Sequence, residues 1–150
     1  MAGGNTELKS RGASEIPNGF IIGKAAGERD CFFDSVAQGM NELCIAGGPF
    51  DVEVLRQACF NYAECNQGCI YDSRIHKTWR QAIEEDAVAG KYATNSRLKQ
   101  TYFYMYMAKI GFTAAESSHL GAAIWGRPEI EGRMLCNKYG IKLHTYYMYN

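Results

Sequence analysis

Residues 25–39 read AAGERDCFFDSVAQG. A polar turn, Gly27 to Asp30, gives way at Cys31 to an aromatic and apolar segment. A cysteine at such a junction is either a small core residue or a nucleophile presented at a helix start. From Cys31 onward, Phe32, Val36, Gly39, Met40 and Leu43 recur at three- and four-residue steps, the spacing of one helix face. The helix is expected to stop before AGGPF (46–50), where paired glycines and a proline break it. Upstream, FIIGKA (20–25) is a short strand candidate, so the local order is strand, turn, helix. A thiol at the first turn of a helix lies at the positive end of the helix dipole, which favours the reactive thiolate. The turn also carries backbone N–H groups, from Glu28 through Arg29 and Asp30 to Cys31, not yet committed to helix hydrogen bonds. Such donors can stabilise the oxyanion of an acyl-transfer intermediate.

Outward from that stretch, residues 1–18 are small, polar and aperiodic and read as a flexible arm, closed by the turn EIPNG (15–19). The ordered domain is expected over 19–150. Asp51 is a suitable N-cap for a helix whose Val54, Leu55, Ala58, Tyr62 and Cys65 share a face. HKTWRQAIEEDAVAG (76–90) reads as a further helix with Trp79, Ile83 and Ala87 on one stripe and Gly90 as its stop. SRLKQTYFYMYMAKIG (96–111) exceeds the usual strand length and reads as a helix, its aromatic and methionine run filling a core. WGRPEIEGRMLCNKYG (125–140) is a turn and a helix, with Pro128 in the first turn and Gly140 as the C-terminal stop. IKLHTYYMY (141–149) is β-rich, with Ile141, Leu143, Thr145 and Tyr147 alternating against Lys142, His144 and Tyr146.

A chain of 150 residues fits one domain. Sixteen basic residues balance sixteen acidic ones, so nothing in the overall field attracts nucleic acid or an anionic membrane, and the expected partner is a protein. No stretch has the length and apolarity of a signal peptide or a membrane span, which points to the cytosol. Six cysteines allow three disulfides, but Cys31, Cys44, Cys59 and Cys136 lie in apolar, helix-like segments, where buried free thiols are the default. Cys59, Cys65, Cys69 and His76 lack the paired short spacings of a structural zinc site, so no metal and no cofactor is expected.

Three separated elements share a resemblance. GERDCFFDSVAQG resembles the turn of the ovarian-tumour (OTU) family of cysteine deubiquitinases, G-D-G-x-C followed by two large apolar residues and a small one, through Gly27, Cys31, Phe32, Phe33, Ser35 and Val36. VLRQACFNYAE is similar to the family's L-R-x-x-x-x-x-Y helix through Leu55, Arg56 and Tyr62. WGRPEIEGRMLCNKYGIKLHTYY resembles its W-G-G-x-x-E element and following strand through Trp125, Gly126, Glu131, Gly140, Ile141 and Leu143, with one extra residue before Glu131.

The resemblance implies an α/β (α+β) chain with the papain-type cysteine protease fold, a small sheet flanked by helices. It implies attack by a thiolate on the carbonyl of the C-terminal glycine of ubiquitin, with a histidine as base and then acid. On that reading Cys31 is the nucleophile, and Glu28, Arg29 and Asp30 form the oxyanion turn. Trp125 and Gly126 belong to the substrate channel, or Trp125 is a structural plug. The partner is ubiquitin or a ubiquitinated protein, and the compartment is the cytosol, or a host cytosol for a secreted effector.

Two departures stand in the turn: Glu28 replaces the family's Asp and Arg29 its Gly, and glycine permits backbone angles and close approach that arginine does not. The family's histidine lies on a strand beyond the one matched by IKLHTYY, a place that His76, His119 and His144 do not occupy. The sequence is therefore expected to represent a domain whose C-terminal strands are missing, with an unpaired edge strand that promotes self-association. The alternative to an enzyme is a catalytically inactive module that binds ubiquitin or another protein.

Overall fold

The computed structural model describes residues 6–10, 25–27, 29–89, 96–118 and 121–147, which form five helices and four short strands of mixed α/β class. Apart from Ala25, the predicted strand FIIGKA lies outside the described residues. The chain divides into two compact units, Met1–Asp51 with Trp125–Asn150, and Val52–Ile124.

The first unit contains β1 (Thr6–Ser10), α1 (Cys31–Glu42), a single π-helical turn (Pro128–Gly132), α5 (Arg133–Tyr139) and β4 (Leu143–Tyr147). Helix α1 begins at Cys31, as the apolar spacing predicts, and buries Phe33, Val36, Ala37 and Met40. The buried stripe is thus turned toward Phe33 and Ala37. Leu43, expected on it, is 61% exposed because the helix stops at Glu42. Past that end, the Asn41 side chain accepts from the Phe50 N–H and donates to the Phe50 carbonyl, both at 2.8 Å, which closes the AGGPF turn. Phe50 then packs edge-on against Tyr139 at 5.2 Å.

Pro128 opens the π turn, where its missing N–H costs nothing, and Gly132 donates to the Arg127 carbonyl at 2.9 Å, a five-residue step. Helix α5 ends at Gly140 in the left-handed conformation, φ 65°, with its N–H on the Cys136 carbonyl at 2.9 Å. Both ends match the expectation.

Strand β4 runs parallel to β1, from Thr6 opposite Leu143 to Ser10 opposite Tyr147. Two expectations change here. Thr6–Ser10, read as part of a flexible arm, are a strand, and β4, read as unpaired, has a neighbour. The physical reason is shared: the β4 backbone needs partners for its N–H and C=O groups, and a polar N-terminal segment supplies them without needing an apolar pattern of its own.

The second unit contains α2 (Val52–Asn66), the hairpin β2 (Ile70–Asp72) and β3 (Lys77–Thr78), α3 (Trp79–Ala89) and α4 (Ser96–Lys109). Helix α2 follows Asp51 directly and buries Leu55, Arg56, Ala58, Cys59 and Ala63. Val54 and Cys65, expected on that face, are exposed. The hairpin is not legible in the sequence: Lys77 and Thr78 pair antiparallel with β2, and α3 starts only at Trp79. Trp79 forms T-shaped ring pairs with Tyr62 at 5.1 Å and Tyr71 at 4.8 Å. Helix α4 lies against α3 and buries Tyr102, Phe103 and Tyr106, the core role expected of its aromatic run, while Tyr104 faces outward. No helix among the described residues is long and apolar enough to cross a membrane.

Candidate functional site

Cys31 occupies the first position of α1 and is half-buried. Its amide has no preceding helical carbonyl to bond, so it is a donor at the head of the helix. Asp30 precedes it with φ −96° and ψ −7°, makes no side-chain cap, and donates its N–H to the Gly27 carbonyl at 3.4 Å. That amide is therefore already engaged, which narrows the oxyanion turn expected at Glu28, Arg29 and Asp30. Glu28 lies outside the described residues.

The turn is tied down by a residue that the sequence reading passed over. Asp34 accepts from the Ala26 N–H at 2.6 Å and from the Gln38 side chain at 3.0 Å. Its carboxylate sits in the first turn of α1, where the helix dipole favours a negative charge. An acid in the first turn of a helix is the sequence signal that could have found it.

The Trp125–Gly126 segment meets this turn. Gly126 lies so close to Phe32 that a β-carbon there would come 2.3 Å from Phe32 Cδ2, 2.8 Å from Cγ and 2.9 Å from Cβ. Glycine is required at 126 for space. The guanidinium of Arg29 lies over the Trp125 ring, 5.3 Å from its centroid. Trp125 is 47% exposed, so it is not a core plug. One contact is made by the residue two before Cys31 and one by the residue after it, so the stretch that carries Cys31 is held on both sides in sequence against Trp125–Gly126.

Behind the tryptophan turn, Arg127 is fixed to Glu131. The Arg127 backbone N–H and Nε each donate to Glu131 Oε1 at 3.0 Å, and a terminal nitrogen donates to Oε2 at 2.9 Å. The Glu131 side chain is fully buried, so the pair is a bidentate ion pair shielded from solvent. It fixes the backbone of Arg127, the residue that follows Gly126.

His76 lies in the β2–β3 turn with φ 53°, and His144 is exposed on β4. His119 lies outside the described residues. Of the other cysteines, Cys59 and Cys136 are buried as expected. Cys44 is exposed, against expectation, because it falls in the turn after α1, with φ 52°. Cys65 and Cys69 are exposed, and among the described residues no three His, Cys, Asp or Glu side chains gather as a metal site.

A shallow groove of about 420 Å³ lies elsewhere, lined by Asn41, Cys44, Ile45, Gly47, Gly48 and Pro49. None of the predicted site residues lines it, so it has no part in the arrangement around Cys31. No protein-family model, no curated protein and no solved structure matches this chain.

Proposed function

We propose that the chain carries an OTU-type cysteine deubiquitinase site on a papain-like fold, with Cys31 as the thiolate that attacks the carbonyl of the C-terminal glycine of ubiquitin. The observation that supports this reading is the seating of Gly126 against Phe32, next to Cys31. It brings together the two motifs on which the family resemblance rests. In the reaction, the Cys31 sulfur bonds to the carbonyl carbon while the isopeptide C–N bond breaks. The departing lysine amine takes up a proton from solvent water, and water then hydrolyses the thioester to the carboxylate and the free thiol. The Cys31 amide at the head of α1 is the oxyanion donor this reading uses.

The test is a ubiquitin bearing a C-terminal electrophile, with the modified peptide identified by mass spectrometry. Adduct on Cys31 alone, lost in Cys31→Ala, is the expected result. Adducts spread over the exposed Cys44, Cys65 and Cys69 would remove the proposal.

A second reading is favoured by one observation: the Asp30 N–H of the turn is already bonded to the Gly27 carbonyl, which removes it as an oxyanion donor. On it, the protein is a module that holds ubiquitin or another protein without cleaving it. Ubiquitin binding that is undiminished by Cys31→Ala, with no adduct from the electrophile, selects this reading over the first.

A further inference from the structure

One carboxylate joins the chain on the two sides of Cys31. Asp34 Oδ2 accepts from the Ala26 N–H at 2.6 Å, which ties a residue upstream of the cysteine to one downstream of it. Inside that loop the Asp30 N–H donates to the Gly27 carbonyl at 3.4 Å, and the Asp34 N–H donates to the Asp30 carbonyl at 3.0 Å. The Gln38 side chain, one turn further along α1, donates to the same Asp34 oxygen at 3.0 Å and restrains it. Ala26 and Gly27 are exposed, and nothing lies within 4 Å of where a β-carbon would stand at Gly27. Packing therefore does little to shape this part of the turn. A charge-assisted hydrogen bond, the stronger kind, holds it to the helix.

We infer that Asp34 is a positioning residue for acyl transfer at Cys31: its Oδ2 fixes the turn from Ala26 to Asp30 on the head of α1, and through that turn the Cys31 amide that receives the oxyanion. The inference rests on the reading of Cys31 as an acyl-transfer nucleophile. Asp34 itself makes and breaks no bond. As the Cys31 sulfur bonds to a carbonyl carbon, the carbonyl oxygen gains negative charge, and the leaving group then departs with its electron pair. A donor stabilises that oxygen only when held where the oxygen will stand, so a loosened turn slows any reaction that passes through an oxyanion. Displacement at a saturated carbon builds no oxyanion and makes no use of the donor. A changed thiolate fraction moves both reactions together, so the signature of positioning is the ratio of their rates at one thiol.

The experiment measures, on the full chain, second-order rates of Cys31 acetylation by p-nitrophenyl acetate, which releases p-nitrophenolate, and of alkylation by iodoacetamide, which releases iodide. Both are read at the Cys31 peptide by mass spectrometry. Asp34→Ala is expected to slow acetylation on the order of ten-fold, less than the roughly 10²- to 10³-fold cost of deleting an oxyanion donor outright, with alkylation unchanged. Asp34→Leu, closer in size and equally without an acceptor, should match it and guards against a folding artefact of the smaller side chain. Asp34→Asn keeps an oxygen that can accept the Ala26 N–H and should stay near the parent with both reagents. Equal slowing of both reactions, an unmoved ratio, or an Asp34→Asn variant that falls with Asp34→Ala would overturn the inference. Neither reagent contains ubiquitin. A ratio that moves as expected while a ubiquitin electrophile leaves Cys31 unlabelled would remove the proposed activity and leave the role of Asp34 standing, whereas labelling by ubiquitin with an unmoved ratio would do the reverse.

Discussion

Two glycines of the first unit need to be glycine for opposite reasons, and substitution separates them. At Gly126 the backbone is ordinary and the space is missing. Gly126→Ala should therefore destabilise by about 1–3 kcal/mol, the usual cost of overpacking, measured by urea denaturation. In a Phe32→Ala background the ring contacts at 2.3 Å and 2.8 Å are gone and only the 2.9 Å approach to the β-carbon of residue 32 remains, so the same change should cost clearly less. An equal cost in both backgrounds would mean that Phe32 is not what confines residue 126. At Gly140 the space is open and the backbone is left-handed, φ 65°. Gly140→Ala should cost about 1 kcal/mol with no ring to relieve it, and Gly140→Asn less, because asparagine tolerates that conformation. The sequence announced Gly140 through its place after a helix pattern. It could not announce the reason for Gly126, because the ring that confines it comes from a distant segment.

At the scale of elements, the π turn and α5 carry a buried carboxylate that orients the tryptophan turn. Glu131→Ala removes the buried carboxylate that accepts the Arg127 backbone N–H and two guanidinium bonds, and should cost about 3–5 kcal/mol in urea denaturation. Glu131→Gln keeps an oxygen to accept the Arg127 N–H and should cost clearly less. If the two variants lose the same stability, the backbone bond contributes nothing. Helix existence was largely legible from spacing: the segments beginning at Cys31, Val52, Trp79, Ser96 and Arg133 are all helical. Face assignment was less so. On α2 an arginine, Arg56, is fully buried where composition places it in water, because its guanidinium finds carbonyls rather than solvent. The hairpin β2–β3 was hidden for another reason: its strands are three and two residues long, too short for any alternation to show.

At the scale of the whole molecule, the second unit is one continuous stretch of chain, whereas the first is assembled from two separated stretches. Several hydrogen bonds join the elements of the second unit to one another. Arg56 donates to the Ile110 carbonyl at 3.3 Å and to the Ile124 carbonyl at 2.9 Å, so one guanidinium ties α2 to the end of α4 and to the last residue of the unit. Trp79 donates to the Cys69 carbonyl at 3.0 Å and Arg80 to the Gln67 carbonyl at 2.9 Å, fastening the start of α3 to the chain after α2. A fragment of residues 52–124 should therefore fold alone, with helical circular dichroism and a cooperative urea transition. Its stability will be small, because a chain of that size buries a modest core. Arg56→Ala leaves two interior carbonyls without their charged donor, at about 1.5–3 kcal/mol for each bond. In a fragment with so little to spare, that loss should abolish the transition, whereas an exposed control, Gln57→Ala, should leave it intact. A fragment that is helical but melts without cooperativity would show that the internal bonds are not sufficient, and that the stability of α2, α3 and α4 depends on the remainder of the chain.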